Sequence, residues 1–118
     1  KMDKGGYTYI LATKNNKVLY VGVTNDLVQR LIEHRTGVSP NSFVSRYRVH
    51  KLVYYQFQDD IVGAIDYEKT LKLWYREWKD RLIQLHNPNW VDLTNMLFEE
   101  EGIVGEELYD DIPELRVA

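Results

Sequence analysis

Chemistry in this chain has to come from tyrosine, arginine, histidine and carboxylate groups. Cysteine is absent, which excludes disulfides, thiolate metal sites and thiol nucleophiles. There is no Gly-rich phosphate loop, and His34, His50 and His86 lie far apart without zinc spacing. Nor does the pattern indicate paired carboxylates of the glycosidase type. The sharpest surface signal is Lys69, Lys72, Arg76 and Lys79, which recur at helical spacing beside Trp74, Tyr75 and Trp78. A basic row with aromatic neighbours is the kind of surface that follows a phosphate backbone. Its plain alternative is a solvated helix face, since Asp66, Glu77 and Asp80 are interspersed. Glu68 falls at the border of the basic row and the apolar stripe Leu71, Trp74, Tyr75, Trp78 and Leu82. One carboxylate there could hold a metal ion, although one Glu is no metal-site signature.

Two other groups stand nearer the N-terminus. Strand alternation puts Tyr7 and Tyr9 on one face and Thr8 and Ile10 on the other, while Tyr20 and Gly22 share a face of the next run. Hairpin pairing would bring Tyr9 and Tyr20 together, either in a site or simply as a cross-strand aromatic pair. Arg30 and His34 are four apart and therefore neighbours on a helix. They point roughly 110° from the centre of the apolar stripe Leu27, Val28, Leu31 and Ile32, so they are expected away from the core.

These residues need elements to hold them. Gly5-Gly6 opens an aromatic and apolar run, Tyr7 to Thr13; Asn15-Asn16-Lys17 is a turn signal; Val18 to Val23 is a second run. Together they predict a β-hairpin. Thr24-Asn25-Asp26 supplies N-cap residues for a helix from Leu27 to Arg35, with Gly37 as its stop. Val38 to Arg48, with Pro40, reads as a loop carrying at most a short helix. Lys51 to Phe57 is a third strand. Asp59-Asp60 caps a helical pattern from Ile61 to about Leu85, broken at most once, and Asn87-Pro88-Asn89 ends it. Trp90 to Leu97 is expected to start a further short helix. The order predicts an α+β domain, a small three-stranded antiparallel sheet (hairpin plus third strand) flanked by helices.

The 118 residues, 44% hydrophobic and 28% charged, suit one domain and rule out global disorder. No apolar run approaches the roughly 18–20 residues that span a bilayer, and Lys1 to Gly6 lacks the apolar stretch of a signal peptide. A cytoplasmic location is the expectation, and absent cysteine fits it. The net charge of −3 argues weakly against a nucleic-acid partner. Its distribution argues the other way: residues 1–97 carry fourteen basic and ten acidic side chains, and residues 98–118 one basic and eight acidic. We therefore expect a basic domain over 1–97 and an acidic tail over 98–118, a solubilising end or a segment able to fold over the basic face.

The motifs Tyr7-Thr8-Tyr9 and Tyr20-Val21-Gly22, on the two strands of one hairpin, resemble those of the GIY-YIG nuclease superfamily, in particular its small single-domain bacterial members. Tyr20 through Arg30 looks like the second motif followed by the arginine-bearing helix. Ala64 through Trp74 looks like the segment with the metal-binding glutamate, and Asn87 through Leu93 like the closing motif of the subgroup. The likeness covers roughly residues 6–95.

The resemblance implies a metal-dependent endonuclease acting on phosphodiester bonds in DNA, with structured or branched DNA of repair or recombination among the substrates; nothing in the sequence separates DNA from RNA. Tyr9 and Tyr20 match the tyrosines around the attacking water, one of them a proposed general base. Arg30 matches the arginine that neutralises the scissile phosphate, His34 a Tyr or His position near the site, and Glu68 the sole protein ligand of magnesium, for which manganese is the substitute. Lys69, Lys72, Arg76 and Lys79 are the expected DNA contacts. A phenol with a reference pKa of about 10 is a weak base at neutral pH unless cations lower it, and Arg30 and the ion are the groups expected to do so. Val23 stands where some members carry a lysine, and Asp80 where the family has an asparagine whose role Asn87 or Asn89 would then take. The missing lysine and the overall negative charge motivate a rival, a non-cleaving nucleic-acid-binding or partner-binding module. Specificity is left to a protein partner or to dimerisation, with no membrane role, and the oligomeric state stays open.

Overall fold

The computed structural model describes residues 5–36 and 42–103. Strand β1 (Gly6–Ala12) pairs with β2 (Leu19–Thr24) and β3 (Lys51–Gln58), both antiparallel, so the strand order is β2-β1-β3. The hairpin turn is built by its own polar side chains. The Thr13 hydroxyl accepts from the Lys17 and Val18 amides at 3.1 Å and donates to Asn15 Oδ1 at 2.8 Å, and Asn16 takes a φ of 64°, which asparagine tolerates.

Among the described residues five helices cover both faces: α1 (Leu27–Thr36), α2 (Ser42–Tyr47), α3 (Ile61–Leu73), α4 (Arg76–His86) and α5 (Thr94–Glu100). None among the described residues is long and apolar enough to cross a membrane. Tyr9 and Leu11 point to one core with Leu27, Leu31, Val44, Leu97 and Phe98 of α1, α2 and α5. Ile10 and Ala12 point to the other, with Leu71 and Ile83 of α3 and α4. A central strand covered on both sides needs apolar residues in both parities, which explains the run Ile10-Leu11-Ala12. The buried Thr8 hydroxyl of β1 donates to the Ala64 carbonyl of α3 at 2.7 Å.

The helical pattern from Ile61 carries the single break that its sequence allowed: Trp74 and Tyr75 are extended, with ψ of 148° and 152°, and separate α3 from α4. No glycine or proline marks the break. Trp74 packs against the second core, and Arg76 reaches back to donate to the carbonyls of Asn16 and Lys17 in the hairpin turn. One expectation needs correction: the buried seam of α1 is Leu27, Leu31 and His34, at i, i+4 and i+7. His34 therefore faces inward, only 4% exposed, because the seam is turned toward the tyrosines of the sheet. Residue 98, where the acidic tail is expected to begin, lies inside α5. Phe98 is buried in the first core, Ile103 packs against it, and Glu100 and Glu101 accept hydrogen bonds from Tyr55 and Tyr7. The helix stop expected at Gly37 and the tail beyond residue 103 lie outside the described residues.

The segment after α4 explains the Asn87–Leu93 motif. The Asn87 amide donates to the Val53 carbonyl at 3.1 Å and the Val91 carbonyl at 2.8 Å. Asp92 Oδ1 accepts from the Leu52 amide at 3.2 Å, and the Leu93 amide donates to the Leu52 carbonyl at 2.8 Å. The motif is thus a clasp along the outer edge of β3, which satisfies backbone groups an edge strand leaves open. Arg35 fastens it to α1 through Asp92 and Thr94.

Candidate functional site

The register of the hairpin sets the site. Gly22 is directly across from Tyr9, and Tyr20 lies one diagonal away, across from Leu11. A Cβ on Gly22 would lie 2.5 Å from Tyr9 Cζ and 2.5 Å from its hydroxyl oxygen. Only glycine leaves the ring its place. The Tyr9 hydroxyl meets His34 Nε2 at 3.4 Å. The rings of Tyr9, Tyr20 and His34 form a near-equilateral triangle, with centroid separations of 6.3, 6.5 and 6.3 Å.

Two charged groups act on this triangle. Arg30, one turn before His34, lies near enough to the Tyr9 phenol for its charge to favour the ionised form. It also opposes protonation of His34, and its Nε is 3.5 Å from Glu33. Glu68, on α3, exerts a negative field on the same phenol. Its side chain is 12% exposed and Oε2 is 2.6 Å from the Lys72 ammonium. Tyr9, Tyr20, Arg30, His34 and Glu68 are thereby brought into one neighbourhood around a single phenol.

Burial decides the protonation states. It pushes Tyr9 well above the ordinary phenol range, with the neighbouring Tyr20 adding to the rise and Arg30 only partly opposing it. The expectation that nearby cations would lower a tyrosine pKa is therefore not met at Tyr9 by the protein's own groups. His34 is lowered to about 4, first by burial and then by Arg30 and His50, so at neutral pH it is an uncharged imidazole. Tyr9 is fully buried, whereas Tyr20 is half-buried and nearer solvent.

The expected basic row is dispersed. Lys69 is exposed on α3, and Lys72 is engaged with Glu68. Arg76 belongs to α4, where it holds the hairpin turn and pairs with Asp80 at 2.8 Å. Lys79 is half-buried, its pKa lowered by burial and by Arg76. Asn87 is buried in the β3 clasp and turned to backbone groups, so it does not supply the missing asparagine at the triangle. Among the described residues no cluster of three or more His, Asp or Glu is arranged to hold a metal. Sequence reading missed Phe43, whose ring centroid is 5.9 Å from that of Tyr20. The available signal was the alternation of Phe43 and Tyr47 with Arg46 and Arg48.

The model of the GIY-YIG catalytic domain matches residues 5–81, and the chain belongs to that family. The domain is that of a nuclease family. Its relatives are small proteins named UPF0213. One, from Syntrophus aciditrophicus (strain SB), is 34% identical over 82 residues, covering 70% of this chain and 92% of its own. Another, from Pectobacterium carotovorum subsp. carotovorum (strain PC1), is 32% identical over 78 residues, covering 66% and 77%. The solution NMR structure of a UPF0213 protein from Bacillus halodurans aligns with 23% identity and a TM-score of 0.49 over 76% of this chain and 94% of that one.

Proposed function

We propose that this chain is a divalent-metal-dependent endonuclease that hydrolyses phosphodiester bonds in DNA, working in the cytoplasm. The observation that carries this reading is the gathering of Tyr20, His34 and Arg30 around Tyr9, with Glu68 acting on the same phenol. Glu68 fits a magnesium ion as its one protein ligand: the carboxylate is a hard oxygen donor, a cation already rests against Oε2 as the Lys72 ammonium, and magnesium keeps waters and takes substrate oxygens for its other positions. When bound, the ion supplies Lewis-acid stabilisation of the phosphate and leaving oxygens.

The chain's own groups do the rest. Arg30 places fixed positive charge against the non-bridging oxygens, where negative charge builds up during displacement. Tyr9 keeps its proton and, with neutral His34 at its oxygen, is a positioned hydrogen-bond donor rather than a base. Tyr20, the more accessible phenol, is the one set to meet the attacking water. In the displacement that water's oxygen bonds to phosphorus as the bond to the leaving oxygen breaks.

The test is nicking of labelled branched, nicked and linear DNA, with RNA alongside, in magnesium, in manganese and in chelator. Arg30→Ala and Glu68→Gln are expected to lower cleavage by about a hundredfold or more while remaining folded. Cleavage that persists in both variants overturns the site. Binding without cleavage on every substrate selects the rival non-cleaving module.

A further inference from the structure

A row of rings leads from the triangle to the surface. Phe43 stands 5.9 Å from Tyr20, and Tyr47, one turn further along α2, stands 4.9 Å from Phe43, centroid to centroid. The Arg46 guanidinium carbon lies 5.7 Å from the Tyr47 centroid. Phe43 and Tyr47 are 40% and 47% exposed. Tyr47 also borders an open hollow of about 690 Å³ formed with the hairpin turn; its walls carry Lys14, Lys17 and Arg48 and no carboxylate.

Planar rings beside fixed positive charge fit a nucleic-acid strand, whose bases stack on aromatic faces while its phosphates follow the cations. The rings are continuous with Tyr20, so a strand engaged at the triangle reaches them directly. Bases inside a duplex already have both faces stacked, so these rings are open only to unpaired ones. We propose that Phe43 and Tyr47 stack on unpaired bases beside the cleaved phosphate, and that Lys14, Lys17 and Arg48 hold the phosphates of the strand as it leaves. The inference rests on the nuclease reading for the position of the cleaved bond alone; the surface itself is a binding claim.

The test uses the full chain with chelator present, a short fluorescein-labelled DNA strand and its duplex form, and anisotropy across a salt series. Tyr47→Ala should weaken binding of the strand by about fivefold or more and leave the duplex nearly unaffected; Tyr47→Phe should restore binding. Lys14→Gln with Lys17→Gln should reduce the salt slope by roughly 1.4. Tyr47 is half-exposed, and circular dichroism of both Tyr47 variants checks the fold. Strand binding by Tyr47→Ala equal to wild type, equal losses on strand and duplex, or no strand binding by the unmodified chain each overturn the proposal. Tyr47-dependent binding without cleavage in magnesium removes the nuclease reading and keeps this surface; cleavage with Tyr47-independent binding does the reverse.

Discussion

The Tyr9 ring occupies the space that a side chain on Gly22 would need. The clash is with a fully buried aromatic ring, not with a flexible chain end. Gly22→Ala must push Tyr9 away from His34 or part the strands. Overpacking of this kind costs about 1–3 kcal/mol, so the melting temperature should fall by several degrees, and cleavage should fall further than the folded fraction accounts for. Thermal unfolding followed by nicking of the refolded sample checks both.

His34 makes stability depend on pH. Its folded-state pKa, about 4, lies below the ordinary 6.5, so the unfolded chain binds more protons between those values. The stability linked to neutral His34 is full above pH 6.5 and is lost as pH falls toward 4; at most it is on the order of 3 kcal/mol. Denaturant midpoints at steps across that window should fall more steeply for wild type than for His34→Gln. Parallel curves would show that burial of the imidazole has no such linkage.

Arg35 and Asp92 should matter to stability rather than chemistry. The Arg35 side chain is 7% exposed and Asp92 is its carboxylate partner; Asp92 also accepts from the amides of Leu52 and Thr94. Asp92→Ala strands a buried guanidinium and opens the clasp, at a cost on the order of 3 kcal/mol. Urea unfolding should show that loss, with activity per folded molecule retained.

Lys72 was expected to contact DNA, yet it covers Glu68. Lys72→Met should expose the carboxylate and tighten divalent-ion binding by up to about fivefold, the worth of an exposed ion pair. Titration of manganese at fixed ionic strength reads this directly. Unchanged ion affinity with a salt slope for DNA reduced by about one would restore Lys72 to the role of phosphate contact.

Much of this arrangement was legible because local signals agreed. The hairpin could be read from its turn residues and apolar runs, and Asp60 does cap α3 by accepting from the Val62 amide at 3.0 Å. The neighbouring of Tyr9 and Tyr20 followed from strand parity. What escaped was set by distant contacts. His34 reads as a surface residue on a helix wheel, and only the rings opposite draw it in. The break at Trp74 has no local breaker; its causes are packing against the sheet and Arg76 gripping a turn some sixty residues earlier. Asn87, like Asn89, was expected to stand in for the family's asparagine, whereas its partners are backbone groups of β3 and of its own loop, which no spacing rule reveals.

The family match ends at residue 81, but the clasp on β3 begins at Asn87. A fragment trimmed to the matched segment would keep Tyr9, Tyr20, Arg30, His34 and Glu68 and yet lose Ile83, Leu97 and Phe98 from the two cores and bare the amide of Leu52 and the carbonyls of Leu52 and Val53. Unpaired strand borders and opened cores recruit other chains, so such a minimal piece should precipitate or form multimers, and its inactivity would reflect lost packing and self-association rather than a lost catalyst.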